Sequence, residues 1–191
     1  DLNNTTAAVE VTILDGIQNI LPYGIASDFQ NSTSNLIDAY KKCELEKDTG
    51  LGIFALSAVI VDKAEPSEAL KANTVWSTGV KNPTYLISSL QLNAFRKGEE
   101  VSQEEDIKAE KGAYFTVQNL TLEANNPISW MLVANVNQNL ISIQETKGII
   151  KNTPDVTAFL QEDIETGTAK LVQLVAGSDG LQLGENQPRN T

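Results

Sequence analysis

The longest nearly uncharged segment of the chain, residues 113–144, constrains the fold more than any other feature. It contains one charged residue and is divided by an Asn-Asn-Pro turn signal at residues 125–127. Before the turn the apolar residues change parity, which predicts a β-bulge near Gln118 and Asn119. After the turn, residues 128–136 are apolar on both parities, as is typical of a central strand covered on both faces. We therefore predict a hairpin in the middle of a β-sheet.

Several other segments have the pattern of β-strands. Residues 9–14 alternate, with Val9, Val11 and Ile13 on one face, and an Asp-Gly turn signal follows at residues 15–16. Residues 51–61 form a charge-free run of strand length, which indicates a buried strand. Further strands are predicted at residues 74–77, 85–95, 140–143 and 168–176.

Two helices are predicted between these strands. The first covers residues 32–48, where apolar side chains recur at helical spacing and place Cys43 on the buried side. The second has Thr153 as its N-cap, Pro154 in its first turn and Gly167 at its end. Many short strands with few helices favour a mainly β fold, namely an antiparallel β-sandwich or jelly-roll-like domain with one or two short helices.

The 191 residues show no internal repeat and no linker-like shift in composition, which predicts a single β-rich domain over residues 1–191. A flexible polar leader is expected at residues 1–8 and a polar tail at residues 184–191. No apolar run is long enough for a membrane-spanning helix. The formal net charge of −11 argues against nucleic acid as a partner, because binding to phosphates requires clustered Lys and Arg.

The residue types used most often in catalysis are scarce. The chain has no His and one Cys, which removes the commonest general base, the usual transition-metal ligands and any intramolecular disulfide. We interpret Cys43 as a buried apolar residue rather than a reactive thiol. No nucleophile-elbow, Walker A or dinucleotide-binding motif is present. We therefore predict that the protein is not an enzyme. The alternative that the composition leaves open is catalysis by two carboxylates in one cleft.

Residues 96–112 are rich in acids, and the densest group is Glu104, Glu105 and Asp106. A solvated loop explains this group most simply. Because carboxylate oxygens are the ligands that Ca²⁺ prefers, the three residues are also a candidate cation site, although they lack the alternating spacing of a calcium-binding loop. No other cofactor is predicted.

Asn-x-Ser/Thr sequons suggest where the protein is located. Those at Asn3, Asn4 and Asn31 lie in loop-like sequence and are candidate glycosylation sites, whereas the one at Asn119 lies in a predicted strand. Glycosylation occurs on secreted and surface proteins. The sequons therefore favour an extracellular or cell-surface glycoprotein.

These observations lead to two expectations about function. The first is a non-enzymatic extracellular or surface structural subunit that self-assembles, such as a filament subunit, with Val9, Val11 and Ile13 as an assembly strand that adds to the sheet of a neighbouring copy. The second is a monomeric β-sandwich module that binds a carbohydrate or another surface ligand. In that alternative Trp76, Tyr85 and Trp130 would line a sugar-binding face instead of packing in the core.

Overall fold

A computed structural model describes residue 2, residues 7–58 and residues 69–179. The chain forms two compact units, Asp1–Asn152 and Thr153–Thr191. Within the described residues, the first unit contains eight strands and four helices, and the second contains one helix. Most of the predicted leader and all of the predicted tail, together with residues 59–68, lie outside the described residues.

The first unit contains both strands and helices, and most of its helices are short. Its strands are β1 (Val9–Ile20), β2 (Lys41–Glu46), β3 (Leu51–Leu56), β4 (Ala72–Thr78), β5 (Thr84–Ser88), β6 (Asp106–Lys108), β7 (Gly112–Leu122) and β8 (Met131–Gln138). Its helices are α1 (Ser27–Ser32), α2 (Ser34–Tyr40), α3 (Leu92–Arg96) and α4 (Leu140–Asn152), and the second unit contains α5 (Val156–Asp179).

The strands form two antiparallel sheets, with the order β1-β7-β5 in one and β6-β2-β3-β4-β8 in the other. The predicted fold class is confirmed: the protein is mainly β, with a β-sandwich-like arrangement of antiparallel sheets. It has more helix than expected, because α4 and α5 occupy segments in which strands were predicted.

The main core contains side chains from both sheets. Tyr114 of β7 packs in one cluster with Cys43, Phe54, Val75 and Ile87. The Tyr114 hydroxyl lies 2.7 Å from the carbonyl oxygen of Gly50, to which it donates a hydrogen bond. This hydrogen bond satisfies the buried hydroxyl and connects β7 to the turn between β2 and β3.

A second core covers the other face of the three-stranded sheet. Phe115 and Val117 of β7 pack there with Leu92 and Phe95 of α3. Alternate residues of a strand point to opposite faces, so residues 112–118 of β7 are buried on both sides. The central strand covered on both faces is therefore β7, which precedes the Asn-Asn-Pro turn signal, and not the segment after it.

The predicted hairpin within residues 113–144 is wrong. β7 pairs with β1 and β5, whereas β8 pairs with β4 at the edge of the five-stranded sheet. The bulge expected near Gln118 and Asn119 is absent, because both residues keep continuous register with β1. The change of parity there needs no bulge, because residues 112–118 are buried on both faces and apolar side chains of either parity can pack in that part of β7.

The predicted helix over residues 32–48 is only partly correct. It ends at Tyr40, and Lys41–Glu46 forms β2, in which alternate residues such as Cys43 and Leu45 are buried. The strand over residues 85–95 is likewise divided into β5 and α3. The strands predicted at residues 74–77 and at the start of residues 51–61 are confirmed as β4 and β3.

The last two predicted strands are helical. Residues 140–143 begin α4, where Asn139 Oδ1 accepts a hydrogen bond of 2.9 Å from the Ser142 amide as an N-cap. Residues 168–176 belong to α5, which continues through Gly167 instead of ending there. The N-cap of α5 is Asp155 rather than Thr153, because Asp155 Oδ1 accepts a hydrogen bond of 2.9 Å from the Ala158 amide.

Candidate functional site

The predicted assembly strand is the first half of β1. Val9, Val11 and Ile13 have the same parity as Ile17, which packs against the main core, and they pair with Leu122, Leu120 and Gln118 of β7, respectively. The structure therefore brings the three side chains to one face of one strand. β1 is an edge strand of its sheet. Among the described strands it pairs with β7, and the edge of β1 that faces away from β7 is unpaired.

The three acids of the candidate cation site have different partners. Glu105 forms an ion pair of 2.6 Å with Lys47, and Asp106 forms one of 3.2 Å with Lys108. Glu104 is buried and is held by hydrogen bonds of its own. No group of three metal-ligating side chains is found in the described part of the chain. The geometry therefore gives no support to a shared cation site at these residues.

Glu104 has a structural role that the sequence pattern does not reveal. Its Oε2 accepts hydrogen bonds of 2.8 Å from the backbone amides of both Ile87 and Ser88, and its Oε1 accepts one of 2.9 Å from Gln91 Nε2. The amides lie at the end of β5, where the pairing with β7 shifts register. The carboxylate therefore satisfies buried donors where the ladder is interrupted.

The three aromatic residues of the alternative sugar-binding face do not share a surface. Trp76 is buried, and Tyr85 packs against the main core, with its ring centroid 5.8 Å from that of Tyr114. Trp130 donates a hydrogen bond of 2.7 Å from Nε1 to Asp15 Oδ2. The arrangement therefore does not favour a carbohydrate module built on these aromatics.

Of the candidate glycosylation sites, the structure describes one. Asn31 lies in α1 and is exposed, whereas Asn3 and Asn4 lie outside the described residues. Asn119 is also exposed, but its Oδ1 accepts a hydrogen bond of 2.7 Å from the Thr12 hydroxyl across the β1–β7 pair. Asn31 is therefore the described sequon whose side chain is most accessible to modification.

Cys43 is buried, as predicted, although it lies in a strand and not in a helix. Burial raises the pKa of its thiol to about 12, so the thiol is neutral and unreactive near neutral pH. The structure therefore removes the one cysteine of the chain from consideration as a nucleophile.

Helix α5 has an apolar surface that extends past Gly167, where the helix was predicted to end. Ile164, Leu171 and Leu174 are 52%, 61% and 70% exposed, and Phe159, Val172 and Val175 are exposed as well. Leu160, Ile164, Gly167, Leu171 and Leu174 follow one another at spacings of four, three, four and three residues. This stripe of five residues, here called the α5 stripe, has the a/d spacing of a helix that packs against another helix. The spacing could have been found in the sequence if residues 168–176 had not been interpreted as a strand.

No helix among the described residues is long and apolar enough to cross a membrane. The fold and these surfaces define a class of acidic, mainly β protein with a separate helical unit. No protein-family model matches the sequence, and no curated protein matches it at a significant level.

Proposed function

We propose that the protein is a non-enzymatic structural subunit that self-assembles, and that the α5 stripe is the surface through which copies associate. The observation that supports this proposal is the exposure of several large apolar side chains along one 24-residue helix. The proposal includes the extracellular or cell-surface location that the sequons favour.

A helix with this surface gains stability by packing. Helix formation in isolation is marginal, and Gly167 and Gly177 lower the helix propensity of α5 further. Burial of one Leu or Ile side chain contributes about 1.5–3 kcal/mol. Leu160, Ile164 and Leu171 would therefore supply several kcal/mol in a helix–helix contact.

A second copy of the chain is the partner that the α5 stripe fits best. Its 4-3-4-3 spacing is self-complementary, since the same positions on two helices interlock. The charged residues of the helix up to residue 170 lie off the stripe, so copies can approach without placing like charges in the contact; these residues are Glu162, Asp163, Glu165 and Lys170.

Strand exchange through β1 is a second mode of assembly that we propose. In the structure β1 fills the edge of its own sheet along the length of β7. For exchange, the β1 of a neighbouring copy would have to take the same position through a rearrangement of residues 21–26, which follow β1. Val9, Val11 and Ile13 would then make the same contacts between copies that they make within one chain.

Cysteine cross-linking tests the proposed contact. Because Cys43 is buried, a cysteine introduced in α5 would be the accessible thiol of the chain. We expect Leu171→Cys to form a disulfide-linked dimer under mild oxidation, because a heptad position brings two copies within disulfide reach in a parallel pair. For an antiparallel pair, in which an a position of one helix faces a d position of the other, mixed Leu160→Cys and Leu171→Cys chains should cross-link instead.

The matched control for cross-linking is Glu165→Cys, which lies off the stripe on the same helix. Equal rates of cross-linking at Glu165→Cys and at the stripe positions would indicate random collision and would contradict the proposal. The readout is the fraction of dimer on a non-reducing gel over time.

A further inference from the structure

A pocket of about 400 Å³ in the first unit brings together two lysines and an unpaired amide oxygen. Its lining comes from the end of β1 and the residue that follows, from α1, from the start of β2 and from the turn before β7, namely Asn19, Leu21, Ser27, Gln30, Asn31, Lys41 and Lys111. Two of the 14 basic residues of this acidic chain, Lys41 and Lys111, therefore meet at one concave site. The side chain of Lys41 is almost fully buried and that of Lys111 is exposed.

The hydrogen-bonding capacity of Lys41 is only partly used. Among the described residues, the Lys41 ammonium group donates a hydrogen bond to Asp38, with Nζ 2.8 Å from Oδ1. An ammonium group has three donors, and burial without acceptors for the others costs free energy. Lys41 is therefore able to donate to a further acceptor in the pocket.

The side chain of Gln30 has the opposite need: its amide oxygen is an acceptor without a donor among the described residues. The residue is 9% exposed, and its Oε1 has no hydrogen-bond partner in the described part of the chain. Its Nε2 donates a hydrogen bond of 3.1 Å to Asp38 Oδ1, which fixes the amide orientation because an oxygen in that place would face a carboxylate. Gln30 Oε1 is therefore an acceptor that lacks a donor.

The charges around the pocket favour an anion. Burial alone would raise the pKa of Asp38, but hydrogen bonds from Lys41 and Gln30 and the charges of Lys41 and Lys111 together hold it below its usual range. Asp38 is therefore ionised at neutral pH and neutralises one lysine, which leaves one net positive charge from the two lysines. A ligand that completes the site needs acceptors for the lysines and a donor for Gln30 Oε1.

We propose that this pocket binds a small oxyanion that carries its own hydroxyl group, as hydrogen phosphate does. Oxygens of the anion accept hydrogen bonds from the ammonium groups of Lys41 and Lys111, and its hydroxyl donates to Gln30 Oε1. Sulfate has the same shape and charge at pH 7.4 but no hydroxyl, so it leaves the Gln30 oxygen unpaired.

The comparison of phosphate with sulfate tests the proposal. We expect inorganic phosphate to shift the backbone NMR signals of residues 30, 41 and 111 and to bind at least tenfold more tightly than sulfate at equal ionic strength. In Gln30→Met, the preference for phosphate over sulfate should disappear. In Lys111→Gln, which changes an exposed side chain, both anions should bind more weakly by about tenfold.

The control variant is Lys81→Gln, which removes an exposed lysine that does not line the pocket. It should bind phosphate as the unmodified chain does. The proposal is overturned if phosphate and sulfate bind with equal affinity, if neither binds, or if Lys81→Gln weakens binding as much as Lys111→Gln. Because none of these outcomes depends on α5, they are distinct from a failure of the proposed self-assembly.

Discussion

Replacement of Glu104 by alanine is expected to lower the free energy of unfolding of the first unit by about 3 kcal/mol. The substitution removes a buried carboxylate that accepts three hydrogen bonds, and it leaves the amides of Ile87 and Ser88 without their acceptor. Hydrogen bonds to charged groups contribute more than neutral ones, and a buried donor without a partner costs about 1–3 kcal/mol. Urea unfolding followed by tryptophan fluorescence measures the change, since both tryptophans lie in the first unit.

The neighbouring acid is the matched control for this measurement. Glu105→Ala removes the same charge and the same number of side-chain atoms, but Glu105 is about half exposed and contacts Lys47 at the surface. We expect a change too small to resolve, because surface ion pairs contribute little. Equal destabilisation by the two substitutions would show that net charge, and not the buried hydrogen bonds, determines the effect.

Replacement of Gly16 by alanine is the second substitution with a large expected effect. Gly16 lies opposite Phe115 in the β1–β7 pair, and a Cβ at this position would overlap the carbonyl oxygen of Tyr114 and lie 2.7 Å from the Phe115 Cα. Because the obstacle includes backbone atoms, the strands would have to separate. We expect a loss of about 3 kcal/mol in the free energy of unfolding, measured by the same urea titration.

Gly148→Ala provides the control for the glycine substitution. Gly148 lies inside α4, where an added Cβ would meet its nearest atom, Asn152 Nδ2, at 4.0 Å. An alanine in a helix is more favourable than a glycine by about 0.5–1 kcal/mol, so the sign of the change should be opposite to that of Gly16→Ala. A destabilising effect of similar size at both positions would contradict our account of the β1–β7 contact.

Gly16 also shows why part of the fold was not predictable from local patterns. An Asp-Gly pair is a strong turn signal, yet here the strand continues through it from Val9 to Ile20. The glycine is needed because Phe115 and the backbone of β7 lie against it. This requirement comes from a residue about a hundred positions away, and no window of local sequence contains it.

The errors in helix and strand assignment have a similar origin. Residues 42–46 alternate in polarity over only five residues, a length at which the helical and strand patterns overlap, and pairing with β3 and β6 determines the outcome. In α5, the apolar residues of 171–175 fit either period. The N-cap at Asp155 and continuation through Gly167 extend the helix instead.

The fold class was predictable because the alternating and uncharged runs at residues 9–14, 51–56 and 113–122 do form strands. The candidate sites were less accessible to sequence reasoning. The role of Glu104 depends on donors supplied by β5, and the oxyanion pocket depends on Gln30, Lys41 and Lys111, which are separated by up to about eighty residues. Such juxtapositions follow from the tertiary fold and not from spacing along the chain.

The most direct test of the central claim is the native mass of the full chain, measured by light scattering over a range of protein concentrations. The matched variants are Leu171→Asp, on the α5 stripe, and Thr168→Asp, which introduces the same charge off the stripe on the same helix. We predict particles larger than the 20.7 kDa chain for the unmodified protein and for Thr168→Asp, and a shift to monomers in Leu171→Asp. A mass near 20.7 kDa for the unmodified chain at all concentrations, or assembly that Leu171→Asp leaves unchanged, would contradict self-assembly through α5.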